Sequence, residues 1–282
     1  MPETILVIGA TGMLGEPVAR HLAADGFKVR VMSRSLDRLT MYDADRFEAV
    51  EGDVEDVESL RKALEGCTGV HLNLSGGNLE RRGAEIVSRV AFEKGVKRIS
   101  VITGATTCEA NAWFPATRSK LDAETAVKSS GIPYTVFRCT MFMESMPKWI
   151  IQNKAYIVGE QPTLWHWIAA EDYAMLVSKA FATPEAANKT FYVYGPESMT
   201  IEEALTIYTL AYPDVKLTRI PFWWARILSL MPGNAKLCKS LPMFEYLPKV
   251  SEPPAEANSL LGEPKITVHA WCEAQKANDD KK

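Results

Sequence analysis

Apolar residues in the first 140 positions fall in short runs separated by amphipathic stretches. Ile5 to Ile8, Lys28 to Met32, Phe47 to Glu51, Gly69 to Leu74, Arg98 to Ile102 and Tyr134 to Arg138 read as six strands. Most are rich in Ile, Val and Leu, as strands are when both faces of a sheet are covered. Between them, Glu16 to Ala24, Val57 to Leu64, Glu80 to Lys94 and Ala116 to Ser129 carry apolar residues three and four positions apart, the spacing of a helix with one buried stripe. Gly26, Gly66, Gly95 and Gly131 stand where such helices end. The alternation predicts an α/β fold built on a doubly wound parallel sheet.

Beyond Arg138 the pattern loosens. Strands are expected near Ala155 to Val158, around Trp165 to Ile168 and at Thr190 to Tyr194, with helices at Asp172 to Phe181 and Ile201 to Tyr212. Six prolines between positions 232 and 264 predict short helices joined by loops, followed by a last helix near Val268 to Lys276. The division expected is a core over residues 1–140 and a smaller C-terminal substrate lobe over 141–282, with some elements of the second part returning to the core. The run Ile220 to Met231 (IPFWWARILSLM) is apolar enough to lie on a membrane surface. The favoured reading is a helix packed within the lobe.

Composition narrows the class. With 32 basic and 35 acidic residues the formal charge is −3, without long runs of one sign, so no groove for a nucleic-acid backbone is expected. Five cysteines are scattered singly, which suits neither a disulfide framework nor a metal site. No apolar run approaches the roughly 18 residues of a spanning helix. The opening residues MPETILVIGATG enter a strand pattern at once, without the layout of a leader peptide. A cytoplasmic protein is expected.

The chemistry begins at ILVIGATGMLGEPVARHL. Gly9, Gly12 and Gly15, with Thr11, Met13 and Leu14 between them, lie between an apolar strand and an amphipathic helix. In that context the first glycine permits a tight turn and the second lets backbone approach a pyrophosphate. The third lets the helix sit close to the sheet, while the helix N-terminus offers unpaired N–H groups. The segment therefore predicts a dinucleotide-binding Rossmann turn. The second strand continues into VRVMSRSLDRL, with no Asp or Glu at its end to accept from a ribose hydroxyl. Ser33, Arg34 and Arg38 stand there instead, and a guanidinium can pair bidentately with a 2′-phosphate. The expected cofactor is NADP(H). Asp53, after the third strand, is placed either to accept the adenine amino group or to cap the next helix.

With these residues in place, the sequence resembles the atypical short-chain dehydrogenase/reductase family, in its NmrA-like, isoflavone-reductase-like branch. GATGMLG, SRS, EGDVED, SKLDAE with GIPYTVFR, and WIAAEDYA carry the resemblance across about residues 3 to 200. It implies that Asn73, Leu74 and Ser75, together with Thr103 and Gly104, line the nicotinamide side. It also implies that Lys120 holds the nicotinamide ribose and that Cys139, Thr140, Met141 and Phe142 form a wall beside it. The family's enzymes place Tyr four residues before the lysine, where this chain has Ala116. The proton would then come from Lys120 itself, from Thr103 or from a side chain of the second part, or no chemistry occurs. With Trp113, Phe114, Trp223 and Trp224, the wall describes an apolar pocket for a carbonyl or quinone-like substrate. His166, between two tryptophans, is a further acid or base candidate but is read as structural, Cys139 is not read as a nucleophile, and Asp172 is read as a helix N-cap. Three functions follow: an NADPH-dependent oxidoreductase, a non-catalytic NADP(H) sensor acting on a protein partner, or an assembly subunit of a larger complex.

Overall fold

The structure, a computed structural model, describes residues 3–76, 78–253 and 260–281. In chain order its elements are β1 (Thr4–Ile8), α1 (Gly15–Ala24), β2 (Lys28–Ser33), β3 (Phe47–Glu51), α2 (Val57–Ala63), β4 (Gly69–Leu72) and α3 (Asn78–Glu93). Then come β5 (Arg98–Gly104), α4 (Pro115–Lys128), β6 (Tyr134–Cys139), β7 (Ile150–Ile151), β8 (Lys154–Val158), β9 (Trp165–Trp167), α5 (Ala170–Ala182) and β10 (Lys189–Val193). Last are β11 (Glu197–Met199), α6 (Ile201–Ala211), β12 (Lys216–Ile220), α7 (Phe222–Ser229), α8 (Ala235–Tyr246) and α9 (Val268–Asp279).

The chain divides into two compact units. The first comprises Met1–Cys139, Ala170–Val193 and Glu256–Glu263, and the second comprises Thr140–Ala169, Tyr194–Ala255 and Pro264–Lys282.

In the first unit seven strands form one sheet in the order β10-β6-β5-β4-β1-β2-β3, every pair parallel. The doubly wound fold read from the sequence is therefore present, and the strand order reverses between β1 and β4, where such sheets hold ligands. Side chains alternate across the sheet. Leu6, Ile8, Val70, Leu72, Ile99, Val101 and Val136 bury one face under Leu60, Ala84, Val87, Val90 and Val127 of α2, α3 and α4. On the other face α1 packs against α5, and a Cβ at Gly69 would stand 2.6 Å from Ile5 Cδ1 and 2.7 Å from Phe181 Cε1, so a larger residue there would have to displace these side chains.

His71, in β4, points into that second face and is fully buried. Its Nδ1 lies 2.8 Å from Ser100 Oγ and its Nε2 3.3 Å from Tyr173 Oη. Burial pushes the imidazole down to about 3, so it is neutral at ordinary pH.

Helix ends follow local chemistry. Asp56 caps α2 by accepting from the N–H groups of Glu58 and Ser59. Thr200 and Glu203 form a capping box on α6. One expected cap is displaced: α5 starts at Ala170, so Asp172 lies inside its first turn rather than before it. Ala170 and Glu171 extend the helix ahead of Asp172, and an acid in the first turn still suits the helix dipole.

The second unit has β12, β8 and β7 in a three-stranded sheet, and β11 paired antiparallel with β9. α6 packs with α9, and α7 with α8. The expectation for Ile220 to Met231 needs correction. α7 buries Ala225 and packs Phe222 inward, but Trp223, Trp224, Ile227, Leu230 and Met231 are exposed. Apolar residues occur around most of the helix, and its neighbours cover only one side. Among the described residues no helix is long and apolar enough to cross a membrane. All five cysteines are free thiols.

Candidate functional site

The C-terminal ends of β1 and β4 meet at the glycine turn. Gly9 adopts φ +78°, and a Cβ there would stand 2.2 Å from the Asn73 carbonyl oxygen. Its own carbonyl accepts from the Gly12 N–H at 3.0 Å. That same oxygen would be 2.2 Å from a Cβ at Gly15, so the three glycines and Asn73 interlock. Leu14 immediately precedes α1 and makes no side-chain cap, which leaves the helix end to a ligand. Thr11, Met13 and Leu14 are half-buried, and Gly12 is exposed. Tyr42 braces the turn from behind by donating its hydroxyl to the Ala10 carbonyl at 2.6 Å.

Beside it, β2 ends at Ser33, whose hydroxyl accepts weakly from the Ser35 N–H at 3.4 Å. Arg34 and Arg38 are exposed, and neither has a carboxylate partner among the described residues. Asp53 accepts from the Glu55 N–H at 3.0 Å, and the cap of α2 is Asp56. Across the sheet, Asn73 is half-buried, Leu74 packs on Gly83 of α3, and Ser75 is exposed.

Gly104, Lys120 and Cys139 come together at the ends of β5 and β6. Gly104 pairs with Cys139 in register, and a Cβ on Gly104 would stand 3.9 Å from Lys120 Cδ. Cys139 is buried, and burial pushes its thiol well up, against the pull of the Lys120 ammonium. Lys120 Nζ lies 3.6 Å from Glu80 Oε1. Glu80 is in the first turn of α3 and is buried, and its second oxygen, Oε2, has no hydrogen-bond partner among the described residues. Ala116 occupies the turn of α4 before Lys120 and is exposed.

Thr103 faces elsewhere. Its hydroxyl donates to Glu124 Oε1 at 2.8 Å inside the layer between sheet and α4. Glu124 also receives Arg138 through Nε at 2.9 Å and Nη2 at 2.8 Å, and Lys128 at 2.9 Å. Arg138 Nη1 donates to the Tyr192 hydroxyl of β10 at 2.7 Å. Burial opposes the Glu124 charge, but the Arg138 and Lys128 donors outweigh it and hold the carboxyl below its usual range. Its hydrogen bond to Glu124 holds Arg138 above its own.

In the second unit, Thr140 follows β6 directly and carries a buried hydroxyl without a hydrogen-bond partner. Met141 and Phe142 run beside Ile168, the Met141 carbonyl accepting from the Ile168 N–H at 2.9 Å. His166 Nδ1 lies 2.6 Å from Glu252 Oε2 in the same unit, on a carboxylate whose burial pushes it upward. Trp113 stands edge-on to Phe114 just before α4, while Trp223 and Trp224 face solvent on α7.

Three residues escaped the sequence reading. Glu124 was visible within SKLDAE, one helical turn after Lys120, but its partner Arg138 is set by the fold. Glu80 and Tyr42 had no local signal, since each acts on a residue more than 30 positions away.

A dinucleotide fits these residues: a glycine cradle that any Cβ would fill, two unpaired guanidiniums and a buried carboxylate oxygen awaiting a donor.

Residues 9–184 match the family described as NAD(P)H-binding. The chain is similar to a (4-alkanoyl-5-oxo-2,5-dihydrofuran-3-yl)methyl phosphate reductase of Streptomyces griseus, 30% identical over 204 residues, spanning 71% of this chain and 70% of that one. It is also similar to the photosystem II assembly factor Ycf39 of Trieres chinensis, 24% identical over 244 residues, 82% of this chain and 76% of the relative. Among solved structures, an NADPH-dependent quinone oxidoreductase from Escherichia coli complexed with NADPH shares the fold. Its TM-score is 0.78 at 19% identity, over 96% of this chain and 99% of that one.

Proposed function

We propose, given that this chain belongs to the NAD(P)H-binding family, in its NmrA-like, isoflavone-reductase-like group of atypical short-chain dehydrogenase/reductases, that it is an NADPH-dependent reductase of apolar carbonyl or quinone-like acceptors. The observation that carries this reading is Lys120, held against the buried carboxylate of Glu80 where β5 and β6 end. The phosphate turn at Gly9 to Gly15 binds the pyrophosphate, and Asn73 closes it from the side of β4. Arg34 and Arg38 meet the 2′-phosphate, which selects NADPH over NADH. When bound, the nicotinamide supplies the hydride. Lys120 orients the adjoining ribose and, with Ala116 in place of a phenol, is the group that hands a proton to the reduced oxygen. Thr103, engaged by Glu124, keeps a structural role. Five free thiols fit work in a reducing compartment such as the cytoplasm.

The test is titration with NADPH and with NADH, followed by loss of NADPH absorbance against a panel of quinones and carbonyl compounds. Tighter NADPH binding with turnover of at least one acceptor, reduced by Lys120→Ala, is the expected result. If neither nucleotide bound, the reading would fail at its first step.

Ala116 favours a second reading, a protein that binds NADP(H) without consuming it and passes its redox state to a protein partner or an assembling complex. Nucleotide binding without turnover of any acceptor, with partner affinity set by the nucleotide, would replace the first reading with this one.

A further inference from the structure

Helix α7 turns much of its apolar side outward. Phe222 and Ala225 of α7 pack with Val158, Leu241 and Phe244. At 3.6 residues per turn, Trp223, Ile227 and Leu230 share one outer arc, with Trp224 and Met231 beside it. Trp223 is 65% exposed and Leu230 84%. The two indole rings stand edge to face at 5.6 Å.

Along the stretch that carries this arc the charge has one sign. From Val215 to Phe244 the sequence contains no Asp or Glu, while Lys216, Arg219, Arg226, Lys236 and Lys239 are basic, in a chain whose net charge is −3. Arg219 and Arg226 are paired with Glu202 and Glu245. Lys236 and Lys239, exposed on α8, have no carboxylate partner among the described residues.

We propose that this face docks on an anionic phospholipid surface. Trp223, Trp224, Ile227, Leu230 and Met231 enter the boundary between headgroups and acyl chains, and Lys236 and Lys239 meet lipid phosphates. A second copy of the chain fits the face poorly, because a twofold contact sets the same residues against each other and brings unpaired lysines together. A nucleic acid would use the tryptophans for stacking but leave Ile227, Leu230 and Met231 against a polar backbone. The inference is independent of whether the first unit turns over NADPH.

The full chain is floated with vesicles of phosphatidylcholine alone and with vesicles that also contain phosphatidylglycerol. Binding is expected only to the anionic vesicles, with a blue shift of tryptophan emission and loss at high salt. Lys236→Gln with Lys239→Gln should weaken partition about thirtyfold, at about 1 kcal/mol per lysine. Trp223→Ser with Leu230→Ser should abolish it while leaving thermal unfolding and nucleotide binding unchanged; if that variant is unstable, the lysine variant carries the test alone. Three results would overturn the proposal. These are binding to neither vesicle, binding insensitive to both lipid charge and the lysines, or a concentration-dependent dimer or an oligonucleotide complex that the tryptophan variant dissolves in place of vesicle binding.

Discussion

Two buried carboxylates in the first unit are handled in opposite ways. Glu124 receives Thr103, Lys128 and, through Nε and Nη2, one edge of the Arg138 guanidinium, so both of its oxygens are engaged. Glu80, also buried though less deeply, has one ion pair at 3.6 Å and one oxygen without a hydrogen-bond partner among the described residues. A folded chain has no reason to bury a half-satisfied carboxylate for stability alone. The Glu124 cluster ties strand to helix and strand to strand. The Glu80 pair holds capacity in reserve at the end of the sheet where the cofactor is expected.

The widest separation between the two should come from Glu124→Ala, which leaves the half-buried Arg138 guanidinium beside an empty space. We expect a loss of about 3–5 kcal/mol in urea unfolding. A loss under about 1 kcal/mol would mean that the cluster does not anchor the sheet. Next in size, Arg34→Ala with Arg38→Ala should raise the dissociation constant for NADPH by at least about 10- to 100-fold and leave that for NADH unchanged, the loss expected from even one charge-assisted hydrogen bond at about 1.5–3 kcal/mol. Equal weakening of both nucleotides would remove the 2′-phosphate from their role.

Glu80→Gln tests the other carboxylate. With a partly exposed lysine as its one charged partner among the described residues, its removal should change stability by less than about 1 kcal/mol. Turnover should nevertheless fall with NADPH affinity retained, and Glu80→Asp should recover part of it; a stability loss as large as that of Glu124→Ala would make the two carboxylates alike. The smallest change is expected at His71, another enclosed polar group. Its NMR signals should stay still near pH 6.5, where a free imidazole titrates. The unfolded chain takes up that proton below about 6.5 and the folded chain only near about 3, so the stability tied to the neutral ring is whole above that window and declines as pH falls through it. A His71 titration near 6.5 would show the site to be open to water.

The contrast also marks what the sequence could display. The turn at Gly9 to Gly15 is local: each glycine is required by atoms a few positions away or by the neighbouring strand, and the spacing shows it. Most of the strands up to Arg138 were legible because burial on both faces demands continuous apolar runs, while the edge strand β3 is largely exposed. The placement of β10 as the seventh strand was not, since nothing in Lys189 to Val193 states which edge it joins. Glu80 with Lys120, 40 positions apart, and Tyr42 with Ala10 depend on distances that only the folded sheet sets. The outward face of α7 shows the same limit from the other side. Periodicity identifies apolar positions, and what covers them is decided by elements elsewhere in the chain.

That seventh strand bears on how the protein is made. β10 closes the edge of β6 and supplies Tyr192 to Arg138, yet 54 positions separate the ends of the two strands, Cys139 and Val193. At about 5–20 residues per second, a ribosome needs roughly 3–10 s to cover that stretch. During this interval the nascent sheet presents an open, apolar edge, so slow translation between residues 140 and 193, or scarcity of a chaperone that shields such edges, should lower the yield of folded protein more than the same delay placed after β10.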